Sequence, residues 1–212
     1  MFVCFSIIGV NQQSHILSKG FTVEEVLMAN NLLAQTKLLP LYSFMIGIPS
    51  ETLNETLQTI DLAVKLRESN PRVSVWQINN YIPYPGTSLY KIAVQKHGLM
   101  PFAKLSDWYN NFSSRPNKMH WSTLSRSKLQ CIGYASMFQK SDSYLSIQPF
   151  FSRMVYKIYR YIFSFRLRNH IFTQFFDVWS VIAFAEILFT LNKKKLRKPM
   201  KFKTKKDNTL VI

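Results

Sequence analysis

The chain has 212 residues, 47% of them hydrophobic and 15% aromatic, which excludes global disorder and allows one domain with a real core plus an appendage. Its two cysteines, Cys4 and Cys131, exclude a disulfide framework and a complete zinc or iron–sulfur ligand set within this chain. The net charge of +16 is uneven: residues 1–99 carry 7 Lys/Arg against 6 Asp/Glu, and residues 100–212 carry 20 against 5, so the second half suits anionic lipid, nucleic acid or an acidic protein.

Met1 leads directly into an apolar run, Phe2 to Val10, that predicts a buried strand. No basic segment precedes it and no small-residue cleavage site follows, so it is a poor signal peptide and reads as a chain that begins inside a fold. Thr22 and Glu25 have the spacing of a capping box and open a helix through about Thr36, with Val23, Val26, Leu27 and Leu33 on one face. Leu41 to Ile48 is a second apolar strand, closed by Pro49. Thr52 and Glu55 repeat the capping box, and Leu53, Leu57, Ile60 and Val64 recur at helical spacing until Asn70-Pro71 ends the helix. Val73 to Ile82 is a third strand. Thr87 or Ser88 then caps a short helix that stops near His97-Gly98.

The order β-α-β-α-β-α predicts an α/β fold with a parallel sheet and helical crossovers. Three strands cannot close a barrel, and so small a parallel sheet leaves two edges open. Residues 1–98 therefore read as a fragment that needs a missing half or a partner. Residues 99–147 are less regular, with a helix start at Leu105-Ser106-Asp107-Trp108 and a helix over Ser125 to Gln139.

The region 148–192 is apolar, basic and helical in pattern. Residues 150–169 predict an amphipathic helix with Arg153, Lys157, Arg160, Ser164 and Arg168 on one face and Phe151, Val155, Ile158, Ile162 and Phe165 on another. Residues 171–191 are long enough to cross a bilayer. Thr173, Asp177 and Ser180 make a polar stripe there, Glu186 adds a second acid, and each acid near mid-bilayer costs about 2.5–3.5 kcal/mol. A soluble helical core, an interfacial helix and a span all remain open for this segment. Residues 193–212 read as a basic, disordered tail, whose stretch 193–206 holds nine Lys/Arg and no acid. The four histidines show no ligand spacing, and no P-loop, dinucleotide fingerprint or nucleophile elbow occurs.

Two phrases stand out: Phe44-Met45-Ile46-Gly47-Ile48-Pro49-Ser50-Glu51-Thr52 and Tyr81-Ile82-Pro83-Tyr84-Pro85-Gly86-Thr87. Gly47 and Gly86 are 39 positions apart, which fits one strand–helix–strand–turn unit. That order sets two loops at the carboxyl ends of neighbouring parallel strands, where α/β folds build their sites. With Ile8-Gly9-Val10, the segment Leu17 to Glu25, and Leu105-Ser106-Asp107-Trp108, these phrases resemble the second half of a radical S-adenosylmethionine (SAM) core domain of the type that accompanies a cobalamin-binding domain. The resemblance covers residues 5–110, about half the chain.

The resemblance implies half of a partial (β/α)6 barrel, about three parallel strands with crossover helices, over residues 1–98. A helical or irregular extension over 99–147 and the α-helical carboxyl-terminal region follow. In that family a Cys-x-x-x-Cys-x-x-Cys loop holds a [4Fe-4S] cluster, which binds SAM and cleaves it to a 5′-deoxyadenosyl radical. This chain lacks that loop, so the resemblance implies no catalytic or metal residue here. The cluster and cobalamin would come only with a missing amino-terminal half. What remains is the adenosine side of a SAM site. Gly47, Ile48, Pro49 and Glu51 match the motif after the fifth barrel strand, Tyr84 and Pro85 match the turn after the sixth, and Asn11 stands where relatives usually carry a carboxylate. The resemblance implies a fragment that is inactive alone. Its expected partners are a separately encoded amino-terminal half and an anionic membrane surface, in a cytoplasmic setting at the inner face of the membrane. Nucleic acid is not an expected partner, because no aromatic-basic recognition motif accompanies the tail. The alternative is a non-catalytic membrane-surface or partner-binding module built on a remnant half-barrel.

Overall fold

A computed structural model of the chain describes residues 2–8, 22–101, 103–104, 106, 121–146, 150–173, 176–181 and 183. The chain divides into two compact units, residues 1–175 and residues 176–212. In the second unit residues 176–181 are helical. Among the described residues no helix is long and apolar enough to cross a membrane.

The first unit is mixed α/β. Its elements are β1 (Phe2–Ile8), α1 (Val23–Ala34), β2 (Leu39–Ile46), α2 (Leu53–Ser69), β3 (Ser74–Asn80), α3 (Ser88–His97), α4 (Arg126–Met137), α5 (Asp142–Leu145) and α6 (Phe150–Arg168). The three strands form one parallel sheet in the sequential order β1-β2-β3. Both capping boxes form: the Thr22 and Thr52 hydroxyls each accept from the N–H three residues on, and Glu25 and Glu55 accept from the cap N–H groups. Thr87 caps α3, and Gly98 ends it with φ +66°.

A β-strand followed by a helical crossover to a parallel neighbour is right-handed in nearly all cases, so a sequential order sets the crossover helices on one face of the sheet. Helices α1 and α2 accordingly pack on each other and on β2. Under them Pro40, Tyr42, Phe44 and Ile46 are buried, and the alternate residues Leu39, Leu41, Ser43 and Met45 of the other face are only half-buried. The face away from the crossover helices is thus the less covered one.

A buried polar network ties α1 to α2. The fully buried residue of α1 is Asn30, on the same face as Val26, Leu27 and Leu33. Its amide nitrogen donates to the Leu66 carbonyl (3.0 Å) and the Ser69 hydroxyl (2.9 Å), and its oxygen accepts from the Tyr42 hydroxyl (3.1 Å). Burial pushes the Tyr42 phenol up to about 12, so it stays a donor.

The edge of β3 away from β2 is closed without a further strand. The Val75 N–H donates to the Gln139 carbonyl (2.8 Å), and the Ile78 N–H donates to the Ser136 hydroxyl (2.9 Å). Lys140 donates to the carbonyls of Val75 (3.0 Å) and Trp76 (2.8 Å), with its ammonium 4.3 Å from the Trp76 ring centroid. Ser141 and Ser74 bond to each other through the Ser141 N–H (2.9 Å) and the two hydroxyls (3.1 Å). Helix α6 fixes this segment from outside. Tyr156 accepts from the Lys140 N–H (3.1 Å) and donates to the Met137 carbonyl (2.8 Å), Arg160 pairs with Asp142 (2.8 Å), and Phe138 packs on the rings of Tyr156, Tyr159 and Phe163. Residues 126–145, expected as part of an extension, therefore belong to the same body as the sheet. Among the described residues no strand lies beyond β1.

Helix α6 differs from the expected division of faces. Arg160, expected on the polar face, is half-buried and donates to the Lys140 carbonyl (3.3 Å) as well as to the exposed Asp142, and Arg166 is buried against the Ile171 carbonyl (3.1 Å). Ile158 and Phe165, expected among the apolar positions, are exposed.

Replacing Lys140 by Met keeps the aliphatic stem and removes the donor to one buried and one partly buried strand carbonyl. Lys140→Met is expected to lower unfolding stability by about 2–4 kcal/mol, read from the urea midpoint at constant m-value.

Candidate functional site

The two Gly/Pro turns lie side by side at the carboxyl end of the sheet, after β2 and after β3. They are stitched together by the Tyr81 N–H, which donates to the Ile46 carbonyl (2.8 Å), and by Ile48 packed with Tyr81 and Leu89.

The first turn runs from Gly47 to Glu51. Gly47 has φ +74°, a conformation that side chains with a Cβ disfavour, and a Cβ there would meet only Asn80 Oδ1 at 3.9 Å. Glycine is thus required for the backbone angle and not for space. Ser50 also has positive φ, +71°. These two left-handed residues curl the chain so that Glu51 folds back under it. Glu51 Oε2 accepts from the Gly47 N–H and from the Ile48 N–H (3.4 Å), and the Glu51 N–H donates to the Ile48 carbonyl (3.0 Å).

Glu51 is only 6% exposed, and its Oε1 has no hydrogen-bond partner among the described residues. Burial pushes this carboxyl up to about 7, against a smaller opposing pull from the Gly47 and Ile48 N–H groups and the Thr56 hydroxyl.

Two residues from distant sequence complete the turn. The Trp121 indole N–H donates to the Gly47 carbonyl (3.0 Å), across 74 positions, and its ring packs on the Ile48–Tyr81–Leu89 cluster. His97 meets Trp121 edge-on at 5.8 Å between centroids, and its Nε2 lies 2.9 Å from the Ser50 hydroxyl.

The second turn runs from Tyr81 to Thr87. Gly86 has φ +88°, and the Thr87 hydroxyl donates to the Tyr84 carbonyl (2.8 Å) while accepting from the Tyr90 N–H (3.2 Å). The Tyr81 ring is buried, its hydroxyl has no hydrogen-bond partner among the described residues, and burial raises its pKa.

The residues singled out from sequence therefore occupy different environments. Gly47, Ile48, Pro49 and Glu51 come together in one turn, with Ile48, Pro49 and Glu51 buried. Tyr84, 52% exposed, and the exposed Pro85 face solvent on the neighbouring turn. Asn11 lies outside the described residues. Trp121 and His97 were not foreseen as parts of this turn, and their distance in sequence carries no local signal. Among the described residues no group of three His, Cys, Asp or Glu side chains could hold a metal ion, and Cys131 is a buried thiol whose Sγ donates to the Thr173 carbonyl (3.8 Å).

The folded Glu51 carboxyl keeps its proton above its ordinary 4.5, so its contribution to stability is full below pH 4.5 and is lost as pH rises to about 7. That loss is on the order of 3 kcal/mol, and Glu51→Gln removes it. The expected result is a difference between the wild-type and Gln stability curves that changes across this window and is flat above it, measured by urea unfolding at a series of pH values. Comparison with protein-family models and with curated proteins finds no match for this chain.

Proposed function

We propose that this chain supplies the adenosine-facing half of a radical SAM site, completed by an amino-terminal half that carries the cysteine loop. The observation that carries this proposal is the sequential parallel order β1-β2-β3 with both crossover helices on one face. Such an order is the local pattern of a (β/α) barrel wall, and a doubly wound sheet shares it within each half, on one side of its switch point. The closed edge of β3 leaves growth of the sheet to the β1 side, which is where preceding strands of a partial barrel would pair.

The residues present do not fit an iron–sulfur cluster, because the chain lacks the three thiolates that leave one iron open to SAM. Cluster and cobalamin belong to the completing half in this proposal, and no step is assigned to them here. The part left to this chain is binding and orientation. Tyr84 and Pro85 present the accessible aromatic and apolar surface for an adenine ring. Glu51 acts as a positioning residue, since it holds the Gly47 and Ile48 amides and touches the ligand through the turn it shapes. Trp121 covers the Gly47 carbonyl, so the base would sit on the Tyr84 side of the pair of turns. A non-catalytic module on a remnant half-barrel is the alternative, favoured by the missing thiolates.

Titration calorimetry separates the two. The chain alone is expected to show no SAM binding, and the chain co-expressed with a cysteine-loop half from the same genome is expected to bind. Tyr84→Ala should weaken that affinity about tenfold, the scale of one lost base-stacking contact. No binding in either preparation would leave the turns as architecture and favour the remnant.

A further inference from the structure

The exposed face of α6 matches no feature of the sheet's carboxyl end. Phe163 and Leu167 point inward and are buried, as is the Arg166 side chain. On the opposite side Phe150, Met154, Ile158, Tyr161 and Phe165 follow at intervals of four, four, three and four residues, which places them in one stripe. Each is at least 47% exposed, and Tyr161 reaches 79%. The stripe is about 22 Å long at 1.5 Å per residue. Scattered apolar residues on a surface need no explanation, but five aligned on one helix face do.

Cations line one side of the stripe. Lys157 and Arg168 are exposed, and the half-buried Arg153 has its guanidinium 5.9 Å from the Phe150 ring centroid. Helix α6 carries five Lys/Arg and no acid, within a half-chain of net charge +15. Arg168 is shared with Glu68 of α2, and Arg160 with Asp142, which leaves Lys157 and Arg153 as the rim cations that the described ion pairs do not engage.

We infer that α6 is a docking helix for an anionic lipid surface, lying in the interface plane with the Phe150–Phe165 stripe in the acyl boundary and Lys157 and Arg153 among the headgroups. The chemistry is that of an interfacial amphipathic helix: aromatic and flexible apolar side chains on one face, with basic residues beside them. A second copy of the chain is the poorer occupant, because pairing two such faces brings like charges together. A lipid surface supplies negative charge along the full length of the stripe and needs no shape complement. The inference is independent of whether a SAM site is ever completed.

The test uses the full chain and sedimentation with vesicles of phosphatidylcholine alone or with about 30% phosphatidylserine, at about 0.1 M and about 0.5 M salt. Binding is expected with phosphatidylserine, weak on phosphatidylcholine alone, and at least about tenfold weaker at the higher salt. The triple variant Met154→Glu, Ile158→Glu, Phe165→Glu should lose at least about tenfold in vesicle affinity while its circular dichroism and urea midpoint stay near wild type. Tyr161→Glu, at the most exposed position, gives a second reading if the triple variant is destabilised. Lys157→Glu should lose about fivefold or more. Failure of the wild-type chain to bind phosphatidylserine vesicles overturns the inference. So does unchanged binding in the stripe variants, which would assign the lipid affinity to the basic tail. A wild-type oligomer that the stripe variants dissociate, with no vesicle binding, would make the face an interface between copies.

Discussion

The closure of β3's outer edge governs the rest of the first unit. A parallel strand at a sheet edge presents N–H and C=O groups that must be paired or left to water. Here they are met by a helix end and three consecutive residues: the Ser136 hydroxyl, the Gln139 carbonyl, the Lys140 ammonium and Ser141. That segment is held in turn by Tyr156, Arg160 and Ser164 of α6. With this side occupied, the sheet has one direction left for extension, and its two turns stay open at the carboxyl end. The same contacts orient α6, so its apolar stripe faces away from the body.

The carboxyl-end turns show how a short motif builds itself before it binds anything. Gly47 and Ser50 adopt left-handed angles, and Glu51 repays that geometry by accepting the two amides its own turn leaves unpaired. The cost is a carboxyl group held away from water, which shifts its titration into the neutral range. A buried acid of this kind rigidifies the turn and explains why Glu51 points beneath the loop.

Features set by near neighbours were legible from sequence. The capping boxes at Thr22/Glu25 and Thr52/Glu55, the stop at Asn70-Pro71 and the Thr87 and Gly98 caps depend on residues three or four apart, and all form. The second strand was expected over Leu41 to Ile48 and runs over Leu39–Ile46, because the positive φ of Gly47 takes the chain out of the ladder. Features set by distant partners were not legible. Asn30 is the buried residue of its helix face, satisfied by Leu66, Ser69 and Tyr42, and no near neighbour in sequence announces those partners. Arginines on α6 turn inward because oxygen partners wait there, which no periodicity records. The two Gly/Pro turns at the carboxyl end of the sheet were legible from sequence, whereas the outward faces of Tyr84 and Pro85 and the cover by Trp121 required the tertiary fold.

The central claim is that the turns at Gly47–Glu51 and Tyr81–Thr87 face SAM once a complementary half is present. Amide hydrogen exchange on the chain paired with a cysteine-loop half, with and without SAM, tests it most directly. SAM is expected to increase protection in peptides covering both turns and to leave the β3-edge segment around Gln139 unchanged. SAM binding to the pair with no change at either turn would contradict it.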